Sequence, residues 1–216
     1  MPILLHKESN KRVFFIHIPR TAGRFIYENL LLNGFVTEHE NDMEVIDGKE
    51  LGHFHKKLYE KHLNVENILH FAVVRNPIDR FYSGSGYLKI KKGYPPIVYP
   101  KLGDFKVESG IYWKNTLKED LKDYDKFLNM INNFINVTHN NWFRPQYEFL
   151  STDIEIWRFE NNFGQSFFDW LGSLLNIKLI KYDVITKVLP WEIEQITKNS
   201  VIDNNIKKFY ERDYDI

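Results

Sequence analysis

Cysteine is absent from the 216-residue chain. That excludes disulfides, thiolate nucleophiles and thiolate-bound metals, and it fits a reducing compartment. Charge of one sign is not in excess either: 29 Lys and Arg face 29 Asp and Glu. An anionic ligand would therefore be held by locally clustered Arg rather than by a global basic field, which argues against wholesale nucleic-acid binding. No apolar run approaches the roughly 18 residues that a membrane span needs, and "MPILLHKESNKRVFF" lacks a long apolar stretch with a cleavage site. The expectation is a cytoplasmic protein without an integral membrane segment. Repeats, low-complexity tracts and linkers are missing too. With 43% hydrophobic residues, ample for a core, the sequence reads as one domain over 1–216.

What is present alternates between strand and helix patterns. "RVFFIHI" (Arg12 to Ile18) and "ILHFAVV" (Ile68 to Val74) are short, apolar and bounded by turn residues, as strands buried on both faces would be. "IEIWRFE" (Ile154 to Glu160) is a third candidate. Phe25 to Leu32 fits a helix closed at Asn33-Gly34, and Asn76-Pro77 with Asp79 starts another, with Asn as N-cap and Pro at the first position. Leu117, Leu121, Tyr124, Leu128, Ile131 and Ile135 have the spacing of one amphipathic helix. Phe167 to Leu175 marks a further helix, Pro190 to Tyr210 at least one more, and proline-rich Gly93 to Gly110 a surface loop. The expected fold class is α/β: a P-loop-like central parallel β-sheet flanked by helices, with ligands at the carboxyl ends of its strands.

Two polar turns fall at such ends. "PRTAGR" (Pro19 to Arg24) would leave backbone N–H groups at a positively polarised helix N-terminus, an arrangement suited to phosphate, with Gly23 allowing close approach and Arg20 adding a forked cation. The plain alternative is an ordinary strand-to-helix turn with two solvated Arg. In "VVRNPIDRFYSGSGY" (Val73 to Tyr87), Arg75 leaves the strand end and Ser83 lies eight residues later in the second helical turn, so both could reach one phosphate. Alternatively Arg75 caps a carboxylate and Ser83 is a small packing residue. "GHFHKKL" offers His53 and His55, and imidazole, with an unperturbed pKa near 6.5, suits general-base work at neutral pH. Other readings of this pair are surface histidines or an H-x-H metal site. His17 reads as a packed core residue.

Together these segments resemble the sulfotransferases that use 3′-phosphoadenosine 5′-phosphosulfate (PAPS), particularly the carbohydrate type that includes the heparan sulfate 2-O-sulfotransferases. "HIPRTAG" is similar to the family's 5′-phosphosulfate loop H-I-P-K-T-A-G, and "RNPIDRFYS" to its 3′-phosphate motif. "GHF", "FRPQYEFL", "IWRFENNFGQSFFDWLGSLLNI" and "FYERDYDI" follow in the family's order, so the resemblance spans nearly the whole chain. It implies sulfuryl transfer from PAPS to an acceptor hydroxyl, in the family context that of a carbohydrate. It also implies that Arg20, Thr21, Ala22, Gly23, Arg24 and Phe25 cradle the 5′-phosphosulfate while Arg75 and Ser83 hold the 3′-phosphate. Catalysis would fall to His53 as base, with Arg20 and secondarily His55, and no metal is implied.

Two departures stand out: Arg20 replaces the usual Lys, and Arg24 occupies a position usually held by Ser or Thr. Tyr94, Tyr99, Tyr112, Trp113 and Trp142 are candidates to stack on sugar rings. Two rivals stay open. A nucleotide or small-molecule kinase would normally need Mg²⁺ and a Walker lysine, and G-x-x-x-x-G-K-[ST] is missing. A non-catalytic nucleotide- or glycan-binding domain is compatible with the Arg20 substitution.

Overall fold

A computed structural model describes residues 3–38, 44–88, 118–137, 141–184 and 198–216. The apolar segments build a five-stranded sheet from β1 (Ile3–His6), β2 (Arg12–Ile16), β3 (Phe35–Thr37), β6 (Leu69–Val74) and β7 (Glu155–Arg158), in the order β3-β1-β2-β6-β7. β4 (Val45–Ile46) and β5 (Lys49–Glu50) form a separate hairpin. β2, β6 and β7 are mutually parallel, with Phe14 opposite His70 and Val73 opposite Trp157.

The three strands read from sequence are thus the parallel part. The sheet is extended by two strands that sequence reading did not single out, for β1 runs antiparallel to both β2 and β3. The segment "ILLH" has only four residues, too few to display a period, and it is the Lys7 to Lys11 turn that folds it back onto β2.

Alternation explains why β2 and β6 look uniformly apolar. Val13 and Phe15, with Phe71 and Val73, point to one face, where α1 (Gly23–Leu32) and α6 (Gln165–Leu175) cover them through Ile26, Leu30, Phe167, Phe168 and Leu171. Phe14 and Ile16, with Ala72 and Val74, point to the other, against Leu51, Phe54, Phe149 and Tyr59 of α2 (Lys56–His62). Each fully buried Phe contributes on the order of 1.5–3 kcal/mol.

A third core joins α3 (Pro77–Leu88) to α4 (Lys118–Lys122), α5 (Tyr124–Val137) and α7 (Ser200–Phe209) around Phe81, Phe127, Ile131, Phe143 and Ile206. Here the expected single helix is two. It breaks at Asp123, whose carboxylate accepts from Lys126 N at 3.0 Å and so caps α5. Side-chain competition for backbone N–H groups overrides the continuous apolar spacing. The expected Gly93 to Gly110 loop lies outside the described residues.

Candidate active site

The turn after β2 is built by backbone conformations that L-residues seldom adopt. Arg20 and Ala22 both have positive φ, 72° and 66°, and α1 begins directly at Gly23 with no side chain capping its first turn. Thr21 is buried and spends its hydroxyl on Ile18 O at 2.7 Å, so what it can offer a ligand is its N–H. Gly23 is demanded by its neighbour: a Cβ there would lie 1.9 Å from His17 Nε2. The His17 ring, stacked on Phe15 at 5.6 Å, fills the space beneath the turn.

The second motif closes on the first. Asn76 Oδ1 accepts from Ile78 N at 3.0 Å and Asp79 N at 3.3 Å, the N-cap expected from sequence. From the same helix Ser83 Oγ accepts from Arg20 Nε at 3.2 Å and Nη2 at 2.8 Å. Arg75 Nη1 donates to Arg20 O at 3.3 Å, and its guanidinium lies 4.2 Å above the Phe159 ring. Burial lowers the Arg75 pKa, and the nearby Arg20 and Arg80 cations act in the same direction against Asp79 and Glu160. Like charges held this close are placed for an anion to join them. Gln146 fixes the Arg75 backbone from both sides, accepting from N at 2.9 Å and donating to O at 2.8 Å. Asp213 in turn accepts from Gln146 N and Tyr147 N.

The candidate base stands on the β4–β5 hairpin. Its turn, Asp47-Gly48, has φ of 50° and 72°, and the Asp47 carboxylate accepts from Lys61 Nζ and His62 Nε2 of α2. From β5 the chain enters a 3₁₀ turn, Leu51–His53. His53 Nδ1 lies 2.8 Å from Glu50 Oε2, and Asn141 Nδ2 donates to His53 O at 2.9 Å. The His53 and His17 rings are 4.9 Å apart. Desolvation holds the His17 pKa well below the ordinary imidazole range, helped by His53 and Arg20. His55, two residues on, has a buried Nδ1 without a hydrogen-bond partner among the described residues. Desolvation and the cations Arg144, Lys49 and Lys57 push its pKa down to about 4.

Compared with known proteins, residues 6–216 match the model of the family described as "Sulfotransferase family". The chain belongs to the sulfotransferase family. No curated protein and no solved structure matches it.

In this sulfotransferase-family chain the sequence-derived site residues divide by position. Arg20, Arg75 and Ser83 meet, and the Thr21 to Gly23 turn lies beside His17 and, through it, His53. Arg24 is exposed and pairs with Glu28 at 3.0 Å, and Phe25 packs toward Phe163 and Phe168, so of these two only the backbone faces the turn. Trp142 packs against the third core and lends its carbonyl to Arg80. The other four candidate sugar-stacking aromatics lie outside the described residues.

The contacts that three residues make in this site were not legible in the sequence. Arg80 is 2% exposed and donates to Pro19 O, Trp142 O and Arg144 O, pinning the turn rather than facing a ligand. Its signal was a cation beside the apolar pair Phe81-Tyr82. Glu50 was detectable through "IDGKE", whose Asp-Gly is a hairpin turn signal. The place of His17 against both Gly23 and His53 had no sequence signal. Among the described residues no group of three or more His, Asp or Glu could hold a metal ion, and no helix is long and apolar enough to cross a membrane. An open cleft of about 540 Å³ lined by Glu60, His70, Ser151 and Asp153 lies at the opposite, amino ends of β6 and β7.

Proposed function

We propose that residues 1–216 form one PAPS-dependent sulfotransferase domain of the carbohydrate, heparan sulfate 2-O-like type, transferring a sulfuryl group to a carbohydrate hydroxyl. The observation that carries this reading is His17, whose ring touches the anion-suited turn at Gly23 on one side and His53 on the other. A basic nitrogen thereby stands about one ring away from a phosphate-suited loop, the juxtaposition that transfer from a phosphosulfate to a hydroxyl needs.

The residues present fit the donor. The first turn of α1 has no side-chain cap, and Arg20, Arg75 and Ser83 form a compact set of cations and hydroxyl beside it. PAPS, when bound, supplies the sulfuryl group, whose S–O bond to phosphate breaks as the acceptor oxygen bonds to sulfur. Backbone N–H groups of Thr21 to Phe25 would hold its 5′ end, and Arg75 with Ser83 its 3′-phosphate. Arg20 supplies the positive charge that the usual Lys provides in the family, stabilising negative charge on the phosphate side. His53 accepts the proton of the acceptor hydroxyl. His17 stays neutral and does not compete as a second cation.

Transfer of labelled sulfate from PAPS, measured over glycans and simple alcohols with and without EDTA, tests the reading. Transfer to a glycan hydroxyl that persists in EDTA is expected. Phosphoryl transfer from ATP requiring Mg²⁺ would establish the kinase instead. Nucleotide binding without turnover would leave a binding domain.

A further inference from the structure

The pairing of Glu50 with His53 says which nitrogen does the work. Glu50 is nearly enclosed, its side chain 6% exposed, and its Oε2 lies 2.8 Å from His53 Nδ1. An ionised carboxylate can only accept, so a hydrogen bond of this length places the proton on Nδ1 and leaves the lone pair of neutral imidazole on Nε2. We propose that Glu50 is a positioning residue that fixes His53 in the Nδ1-protonated tautomer and makes Nε2 the proton-accepting atom of the transfer reaction. This rests on His53 being the base, as argued above.

Three features of the fold support the assignment. The Asp47-Gly48 turn, tied to α2 through Lys61 and His62, leads within three residues to Glu50, which is buried at the end of β5. The 3₁₀ turn then brings residues 50 and 53 onto one face, since three residues complete one turn of such a helix. The backbone of His53 is held separately by Asn141 at 2.9 Å, and its ring packs 4.9 Å from that of His17. With main chain and ring face already fixed, the freedom left to the imidazole is rotation and tautomer, and the carboxylate removes both. When the acceptor proton arrives on Nε2 the imidazolium carries hydrogens on both nitrogens, and the charge it gains faces the Glu50 carboxylate. No proton moves to Glu50, which acts through His53 and not on the acceptor.

Nitrogen-15 chemical shifts of His53 in the ligand-free protein, at a pH where the ring is neutral, test this without any turnover. The wild-type protein should show a protonated Nδ1 and an unprotonated Nε2. E50Q, whose amide can present either oxygen or NH₂ to Nδ1, should show a mixture of tautomers, and E50D a partial return to the wild-type signature. In transfer assays kcat should fall about 10- to 100-fold in E50Q, a part of what a positioned base contributes, with KM for PAPS unchanged. A wild-type ring protonated on Nε2, or an E50Q spectrum identical to the wild type, overturns the assignment whether or not any variant is active. The expected shifts in a protein that transfers no sulfate would leave the tautomer assignment standing and remove the proposed function.

Discussion

The guanidinium of Arg20 donates to Ser83 Oγ through both Nε and Nη2, at 3.2 and 2.8 Å, and so joins the turn after β2 to the helix after β6. The two motifs that looked separate in sequence are therefore one cationic surface. A lysine could supply the charge at position 20 but not a two-nitrogen contact with one hydroxyl. Arg20→Ala should lower kcat by about 10²-fold or more, with a smaller change in nucleotide affinity, because the cation matters most where charge grows during transfer. Arg20→Lys should keep substantial activity. Steady-state kinetics on both variants checks this, and wild-type turnover in Arg20→Ala would reduce the turn to a binding cradle.

Arg75 is anchored by its backbone to Gln146 and by its guanidinium to Arg20 O and the Phe159 face, so its removal should cost binding more than folding. Arg75→Ala should weaken adenosine 3′,5′-bisphosphate by about 1.5–3 kcal/mol, the value of a charge-assisted contact, and Ser83→Ala by less. Adenosine 5′-phosphosulfate, which lacks the 3′-phosphate, should lose almost nothing. Titration calorimetry giving equal losses for the two nucleotides would remove Arg75 from the 3′ site.

Arg80 makes a different prediction because its three acceptors are main-chain carbonyls in separate segments, Pro19, Trp142 and Arg144. Arg80→Ala leaves buried acceptors without donors, at about 1–3 kcal/mol for each that water cannot reach. The total should exceed about 3 kcal/mol in denaturant unfolding. An unchanged midpoint would mean that the turn is held by Thr21 and Gly23 alone.

Those residues also mark how far the sequence could be read. Two of the three parallel strands were legible because Val13 to Ile16 and Phe71 to Val74 bury both faces and leave no polar position. The Asn76 cap was legible because its signal is local. What stayed hidden depended on contacts far along the chain: Arg20 with Ser83 across 63 residues, Arg80 with Pro19 across 61, and the ring of His17 with that of His53. Asp123 was misread for another reason, since apolar spacing continues across it while its side chain starts a new helix. Motif order nominates groups for the proposed site, but only the packing separates Arg20 and Arg75, which meet beside Ser83, from Arg80, which pins the turn.

Gly23 offers a direct check on that packing. A methyl group at this position would fall inside the His17 ring, 1.9–2.6 Å from three of its atoms, and the ring is confined by Phe15 and His53. Gly23→Ala should therefore disturb both the turn and the base. Adding His17→Ala should recover part of the loss, giving a coupling of about 1–2 kcal/mol in a double-mutant cycle on stability. Strict additivity would place the cost of Gly23→Ala in the turn alone.

The last prediction concerns acid, and its sign follows from His55. In the folded protein desolvation and the cations Arg144, Lys49 and Lys57 hold His55 at about 4, whereas an unfolded histidine titrates near 6.5. Between these values the unfolded chain binds a proton that the folded chain does not. Stability is therefore full above about pH 6.5 and falls as the pH drops toward about 4. His17, lowered by its own desolvation and then by His53, acts in the same direction. His55→Asn removes one of the two groups, so the decline in unfolding free energy from pH 7 to pH 4.5, read by urea titration, should become shallower by about 1–2 kcal/mol, allowing for solvent screening of a partly exposed ring. Activity at pH 7 should change less than in His53→Ala, because His53, not His55, is the imidazole held beside His17 and the turn. Parallel pH curves for His55→Asn and the wild type would show that His55 protonates as readily in the folded state as in the unfolded one, and its buried nitrogen would then need a partner that this packing does not provide.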